Sequence, residues 1–121
     1  MKQVLVVDDS PVIRKIARRI LESLRVRTSE ASGGQQALAA CSFLMPDGIF
    51  VDSNMPGLDS FEFLKVLRRM PGGERPKIVF CTTEYDVSQF ARALHAGADD
   101  FLMKPFDRDA VKTKFEALGV Y

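Results

Sequence analysis

Short apolar runs alternate with longer segments of helical period along the whole chain, and this alternation confines it to one broad class of fold. Val4-Leu5-Val6-Val7 is apolar throughout, as a strand buried on both faces requires. From Pro11 onward, Ile13, Ile16, Ala17, Ile20, Leu21 and Leu24 recur at helical spacing, with Arg14, Lys15, Arg18 and Arg19 on the opposite, solvated face. Ser10 suits the cap of this helix and Pro11 its first turn. Residues 26–31 read as a more polar strand, suited to a sheet edge. Gly33-Gly34 breaks the chain, and the spacing predicts a helix over 35–44. After the Pro46-Asp47-Gly48 turn, Ile49-Phe50-Val51 forms a third strand that ends at Asp52. A third helix follows Pro56-Gly57, carries Phe61, Leu64, Leu67 and Met70, and stops at Pro71-Gly72-Gly73. Ile78-Val79-Phe80-Cys81 is the fourth strand, and Val87, Phe90, Ala91 and Leu94 mark a fourth helix closed by Gly97. Phe101-Leu102-Met103 is the fifth strand, and Val111, Phe115 and Leu118 mark the last helix.

The pattern predicts an α/β fold, a (βα)5 doubly wound parallel sheet with flavodoxin-like strand order 2-1-3-4-5 and right-handed crossovers. At 121 residues the chain is expected to be a single domain spanning 1–121, with no linker and no separate output domain. A net charge of +1, from 17 basic and 16 acidic residues, gives no bulk electrostatic pull toward nucleic acid or membrane. Cys41 and Cys81 sit in apolar segments without metal-ligand spacing and read as reduced, buried thiols. The N-terminus lacks the pattern of a signal peptide, and no apolar run approaches the roughly 20 residues of a membrane helix. A cytoplasmic protein is the expectation.

The polar residues at the predicted strand ends carry the functional signal. Asp8 and Asp9 end the first strand, Asp52 the third, Thr82 and Thr83 the fourth, and Lys104 the fifth. In a doubly wound sheet, ligands bind beyond the carboxyl ends of the strands, where the strand order reverses. That rule gathers Asp8, Asp9 and Asp52 around one crevice between strands one and three. Three close carboxylates repel one another, so without a cation at least one is expected to have a raised pKa. Magnesium, a hard ion that prefers oxygen ligands, relieves this, with Asp9 and Asp52 as direct ligands and Asp8 acting through water. A carboxylate is also a nucleophile toward phosphorus, and phosphoryl transfer needs chiefly positioning and charge neutralisation. The Lys104 ammonium supplies positive charge, and the Thr82 hydroxyl suits a bond to a phosphoryl oxygen.

The segments Val4-Leu5-Val6-Val7-Asp8-Asp9-Ser10, Asp52-Ser53-Asn54-Met55-Pro56-Gly57-Leu58-Asp59, Thr82 and Lys104-Pro105-Phe106, taken in order along the whole chain, resemble the receiver domain of two-component response regulators. The likeness is nearest to the stand-alone, chemotaxis-type members. It implies that Asp52 accepts phosphate from a phosphohistidine of a sensor histidine kinase or a histidine phosphotransfer protein. It implies magnesium bound by Asp8, Asp9, Asp52 and the backbone carbonyl of Asn54. It makes Thr82 and Phe101 the switch residues and Lys104 a catalytic partner, and it assigns rate tuning to Asn54, Thr83 and Glu84. Lys104-Pro105 is expected to be cis, an isomer that costs an X-Pro bond only about 0.5–1 kcal/mol. The expected output is phosphorylation-dependent binding of a downstream protein through a face that includes Phe101, Arg92 and Lys112, with no nucleic acid or membrane involved. The implied chemistry is self-phosphorylation and autodephosphorylation only.

Several residues depart from the family pattern. Ser60 stands where glycine is usual, and a positive φ there would strain it. Thr83 is bulkier than usual, so a Thr83→Ala variant is expected to exchange phosphate faster. Phe101 replaces a commoner tyrosine. Residues after Phe106 lack the Arg and Glu pattern of receivers that dimerise to drive DNA-binding domains. Alternative readings are a phosphorelay shuttle that passes phosphate to another histidine, an aspartyl-nucleophile phosphatase and a flavin module. The phosphatase motif needs Asp two residues after the first aspartate, where this chain has Ser10, and the flavin module needs a phosphate-cradling loop that Asp8-Asp9 would spoil. His95 is expected on a helix surface, and the phenylalanines of the third helix in the core.

Overall fold

The computed structural model describes all residues from Met1 to Tyr121. The elements run β1 (Gln3–Val7), α1 (Pro11–Ser23), β2 (Arg27–Ala31), α2 (Gly34–Phe43), β3 (Gly48–Asp52), α3 (Ser60–Arg69), β4 (Lys77–Thr82), α4 (Val87–Ala96), β5 (Asp100–Met103) and α5 (Arg108–Ala117). The strands form one sheet in the order β2-β1-β3-β4-β5, and every pairing is parallel. The strand ends read from the sequence therefore share one rim.

Strand alternation divides the core in two. Leu5, Val7, Ile49, Val51, Ile78 and Phe80 point toward a layer with Ala37 and Cys41 of α2, Phe61, Phe63, Leu64 and Leu67 of α3 and Ala93 and Ala96 of α4. Their neighbours Val4, Val6, Phe50, Val79, Cys81 and Leu102 point the other way, toward Ala17 and Leu21 of α1 and Val111 and Phe115 of α5. Burying a side chain such as Phe50 stabilises the fold by about 1.5–3 kcal/mol. Phe50 also packs edge-on against Phe106 and is stacked with Phe115, at centroid distances of 5.1 and 6.2 Å.

Two helical faces differ from the expected ones. In α1, Ile16 is exposed, and the buried positions narrow to Ala17 and Leu21. In α4, Phe90, Ala93 and Ala96 face inward, while Val87, Ala91 and Leu94 are exposed. Apolar residues lie on several sides of α4, so the period alone does not choose a face; the small alanines allow close approach to the sheet. The strain anticipated at Ser60 is absent. Ser60 is the first residue of α3, capped by the Asp59 side chain, and Arg25 is the only non-glycine residue with positive φ.

Arg68 fastens the amino-end rim of the sheet. Its guanidinium donates to the carbonyls of Gly73, Pro76 and Gly97 and to the Asp99 carboxylate. Gly97, at the end of α4, has φ of 133°, and a Cβ there would stand 2.7 Å from Arg68 Cγ. Glycine is required on both counts.

Candidate functional site

The opposite rim collects the acidic residues. Asp8 directly follows β1, and its N–H donates to the Ala31 carbonyl of β2 at 3.1 Å. Asp52 closes β3, next to β1, so the two lie at the point where the chain reverses its direction across the sheet. Lys104 follows β5, and its N–H donates to the Thr82 carbonyl at 2.7 Å. From there its ammonium reaches across the rim to Asp8 Oδ2 at 2.8 Å and Asp52 Oδ1 at 2.9 Å. The Lys104-Pro105 peptide is cis, as expected.

Asp8, Asp9 and Asp52 each bring a carboxylate oxygen within 4.8 Å of the others. Asp8 and Asp52 are buried, and Asp9 is exposed. Burial raises the Asp52 pKa, and the nearby Asp8 charge adds to this; Lys104 opposes the rise without cancelling it. Burial works against the charge on Lys104, but its bonds to Asp8 and Asp52 outweigh burial and raise its pKa. The two directions are compatible: the ammonium is held charged, while the buried carboxylate beside a second one remains short of compensation. Cys81, on β4 opposite Asp52, is a buried thiol pushed up to about 12, so it is not a thiolate nucleophile near neutral pH.

These donors fit a hard divalent cation. When all three carboxylates are ionised, one ammonium leaves the cleft with excess negative charge. Lys104 and the Ser10 N–H engage both oxygens of Asp8, which leaves Asp9 and the remaining Asp52 oxygen as the freer ligands. Oxygen donors with an open, exposed side suit magnesium, which keeps several of its waters. Asn54 lies in the exposed loop two residues after Asp52.

The other expected residues lie around this centre. Thr82 is buried at the end of β4; its hydroxyl donates to Gln89 Oε1 at 3.2 Å and accepts from the Glu84 N–H at 3.2 Å. Thr83 and Glu84 are exposed. Phe101 is half-buried and stacked on Phe90, with Lys114 Nζ 5.5 Å from its ring centre. Arg92 is exposed but lies over the Phe61 ring of α3 at 4.0 Å, and Lys112 is half-buried rather than exposed. His95 is an exposed residue of α4.

Sequence reasoning missed the contacts of three residues. Ser60 Oγ donates to the main-chain carbonyl of Asp52 at 2.7 Å, inside the core. Gln89 holds the Thr82 hydroxyl. Arg14, expected on a merely solvated face, donates to the Asp8 carbonyl at 2.7 Å and to Glu30 at 2.7 Å. Only Ser60 gave any signal, as a departure from the usual glycine; the other two depend on tertiary placement.

The chain is thus a doubly wound α/β domain whose topological switch point carries a cluster of three carboxylates, two of them bridged by a lysine. The chain belongs to the response regulator receiver domain family, whose model matches residues 4–116. It is 34% identical over 110 residues to the chemotaxis protein CheY of Halobacterium salinarum, covering 91% of this chain and 90% of that protein. It is 38% identical over 106 residues to the KDP operon transcriptional regulatory protein KdpE of Escherichia coli, covering 88% of this chain but 46% of that regulator. The chain spans about half the length of several curated relatives, such as the DNA-binding response regulator MtrA of Mycolicibacterium smegmatis, at 45%. Among solved structures, the chemotaxis response regulator CheY4 of Vibrio cholerae superposes with a TM-score of 0.92 at 30% identity, with 98% of each chain covered. The receiver domain of the Pseudomonas aeruginosa sensor histidine kinase PA1611, solved with a magnesium ion in its active-site cleft, superposes with a TM-score of 0.88 at 28% identity, covering 96% of this chain and 95% of that one. Receiver domains bind magnesium at acidic residues and relay phosphoryl signals between kinases and targets. No helix is long and apolar enough to cross a membrane.

Proposed function

We propose that this receiver is a phosphorylation switch whose acceptor is Asp52, loaded from a phosphohistidine of a sensor kinase or histidine phosphotransfer protein. The observation that carries the reading is the Lys104 ammonium bridging Asp8 and Asp52 at 2.8 and 2.9 Å, with the free Asp9 carboxylate alongside.

In the reaction, an Asp52 carboxylate oxygen attacks phosphorus, an O–P bond forms, and the P–N bond to the donor imidazole breaks. The electron pair leaves with the imidazole. Lys104 is placed to stabilise charge gathering on the phosphoryl oxygens. Asp9 and Asp52, with the Asn54 carbonyl, would hold magnesium, which supplies Lewis-acid neutralisation of those oxygens. Thr82 must give up Gln89 to bond the new phosphoryl group, and that exchange is the proposed start of the conformational change. The state so favoured binds a downstream protein. An aspartyl phosphatase is disfavoured by Ser10, whose hydroxyl caps α1 by accepting from the Ile13 N–H and offers no acid for a leaving group.

The test is amide NMR with magnesium and beryllofluoride, a mimic of the phosphoryl group. Shifts should centre on Asp52, Thr82 and Lys104 and vanish in Asp52→Asn. An unresponsive native protein, or a full response in the variant, overturns the proposal.

A further inference from the structure

Asp8 and Asp52 are each fixed by direct bonds from Lys104, and Asp8 also by Ser10. Asp9 has no such anchor: it is exposed, and its side chain takes no bond from the protein. Its direction is set by the main chain on either side; Ser10, after it, is held as the α1 cap, its carbonyl accepting from the Arg14 N–H at 3.0 Å, so the freedom that remains lies in the peptide before it. That stretch is pinned on the amino side by the Asp8 N–H to the Ala31 carbonyl at 3.1 Å. On the carboxyl side, the carbonyl of the Asp8–Asp9 peptide accepts from Arg14 Nη1 at 2.7 Å. Turning that peptide plane would swing the Asp9 side chain and break the Arg14 bond.

Arg14 is itself held in place. Its Nε donates to Glu30 Oε1 at 2.7 Å, and its side chain is only 14% exposed. Glu30 is also paired with Arg18, which donates from Nε to the Thr28 hydroxyl at 3.0 Å. A line of charged and polar groups therefore runs from the β2 edge to the loop that carries Asp9. Only Arg14 touches both ends of its last link. A guanidinium fork satisfies a carboxylate and a carbonyl together, whereas an ammonium is a point charge on a flexible stem.

We propose that Arg14, braced by Glu30, is a positioning residue that orients Asp9 for divalent-cation binding. The inference rests on the reading of the cleft as a magnesium site. Arg14 touches neither the cation nor the phosphoryl group; it acts through the Asp8–Asp9 peptide.

The probe is magnesium alone, titrated by calorimetry into the full chain, with hydrogen exchange of the hydrogen-bonded Asp8 and Ser10 amides followed in chelator. Arg14→Met is expected to weaken magnesium binding about tenfold, equivalent to ~1.4 kcal/mol, and to speed exchange at both amides. Arg14→Lys should fall between the two. Arg18→Met, which breaks the other Glu30 pair but not the carbonyl bond, should bind magnesium within about twofold of the native protein. At saturating magnesium, phosphorylation of Arg14→Met by acetyl phosphate should return to near the native rate. Native affinity in Arg14→Met overturns the proposal. So does equal loss in Arg18→Met, since the network would then be only a clamp between α1 and β2. Should Arg14→Met fail to fold, native affinity and exchange in Arg14→Lys overturn it instead. If the native chain takes up no magnesium, the reading of the cleft itself falls, an outcome distinct from a native site indifferent to Arg14.

Discussion

Phe101 lies face to face with Phe90, with ring centroids 4.0 Å apart and planes within 4°. The stack joins β5 to α4, and Tyr85 closes edge-on against Phe90 at 5.4 Å. The residue before Phe90, Gln89, holds the Thr82 hydroxyl. Adjacent residues of one helix thus restrain both proposed switch groups in the unphosphorylated arrangement.

Loosening that helix should favour the switched state. An aromatic stack contributes about 0.5–1.5 kcal/mol beyond its buried area, and a neutral hydrogen bond a similar net amount. Phe90→Leu and Gln89→Leu are each expected to lower the beryllofluoride concentration for half-conversion by about three- to tenfold. NMR titration at fixed magnesium reads this. A native midpoint in Phe90→Leu would mean that another contact holds Phe101 inward.

Removing the bridge should cost stability. Lys104→Met leaves Asp8 and Asp52 buried without their shared cation, a change that destabilises by about 3–5 kcal/mol when nothing compensates. Here Asp52 can take up a proton, so a loss of about 2–4 kcal/mol is expected in urea unfolding with chelator present. Magnesium should restore part of it. A variant as stable as the native protein would show that the bridge contributes no net stability.

The raised Asp52 pKa predicts the sign of a pH effect. Its folded-state pKa lies above the unfolded one, so the folded form binds the proton more readily, and ionisation works against folding as pH rises through that range. In chelator near neutral pH, Asp52→Asn should therefore melt higher, by about 2–5 °C. The gap should close as pH falls below the ordinary carboxylate value, where both forms are neutral at this position. Scanning calorimetry across pH 3–7 checks this (the range is roughly the carboxylate region and above). A lower melting temperature for the variant at neutral pH would reverse the sign.

Ser60 should prove structural. Ser60→Ala leaves the buried Asp52 carbonyl without its side-chain donor and is expected to destabilise by about 1–2 kcal/mol. Ser60→Gly should cost more, because glycine also weakens the first turn of α3. Denaturation midpoints that rank glycine above alanine would overturn this.

The rim was legible because short, continuously apolar strands buried on both faces give way abruptly to polar residues, at Asp8, Asp52, Thr82 and Lys104. Parallel order then brings those ends together without any knowledge of side-chain contacts. Faces were harder to read. In α4, apolar residues surround the helix, and Ala93 and Ala96, not Leu94, pack inward because close approach favours small side chains. Arg14 was read as solvated because its neighbours Lys15 and Arg19 are; its tie to the Asp8 carbonyl depends on a strand sixteen residues away supplying Glu30. Local pattern carries no trace of such a partner.

The contact between Lys104 and Asp8 joins residues 96 positions apart. During synthesis the three aspartates leave the ribosome long before the lysine that balances them. A nascent chain lacking β5 carries the acids without their counter-charge and without the strand that would complete the rim. The bridge therefore cannot close until β5 has been made, and a product truncated before that strand would keep Asp8 and Asp52 without the ammonium that joins them.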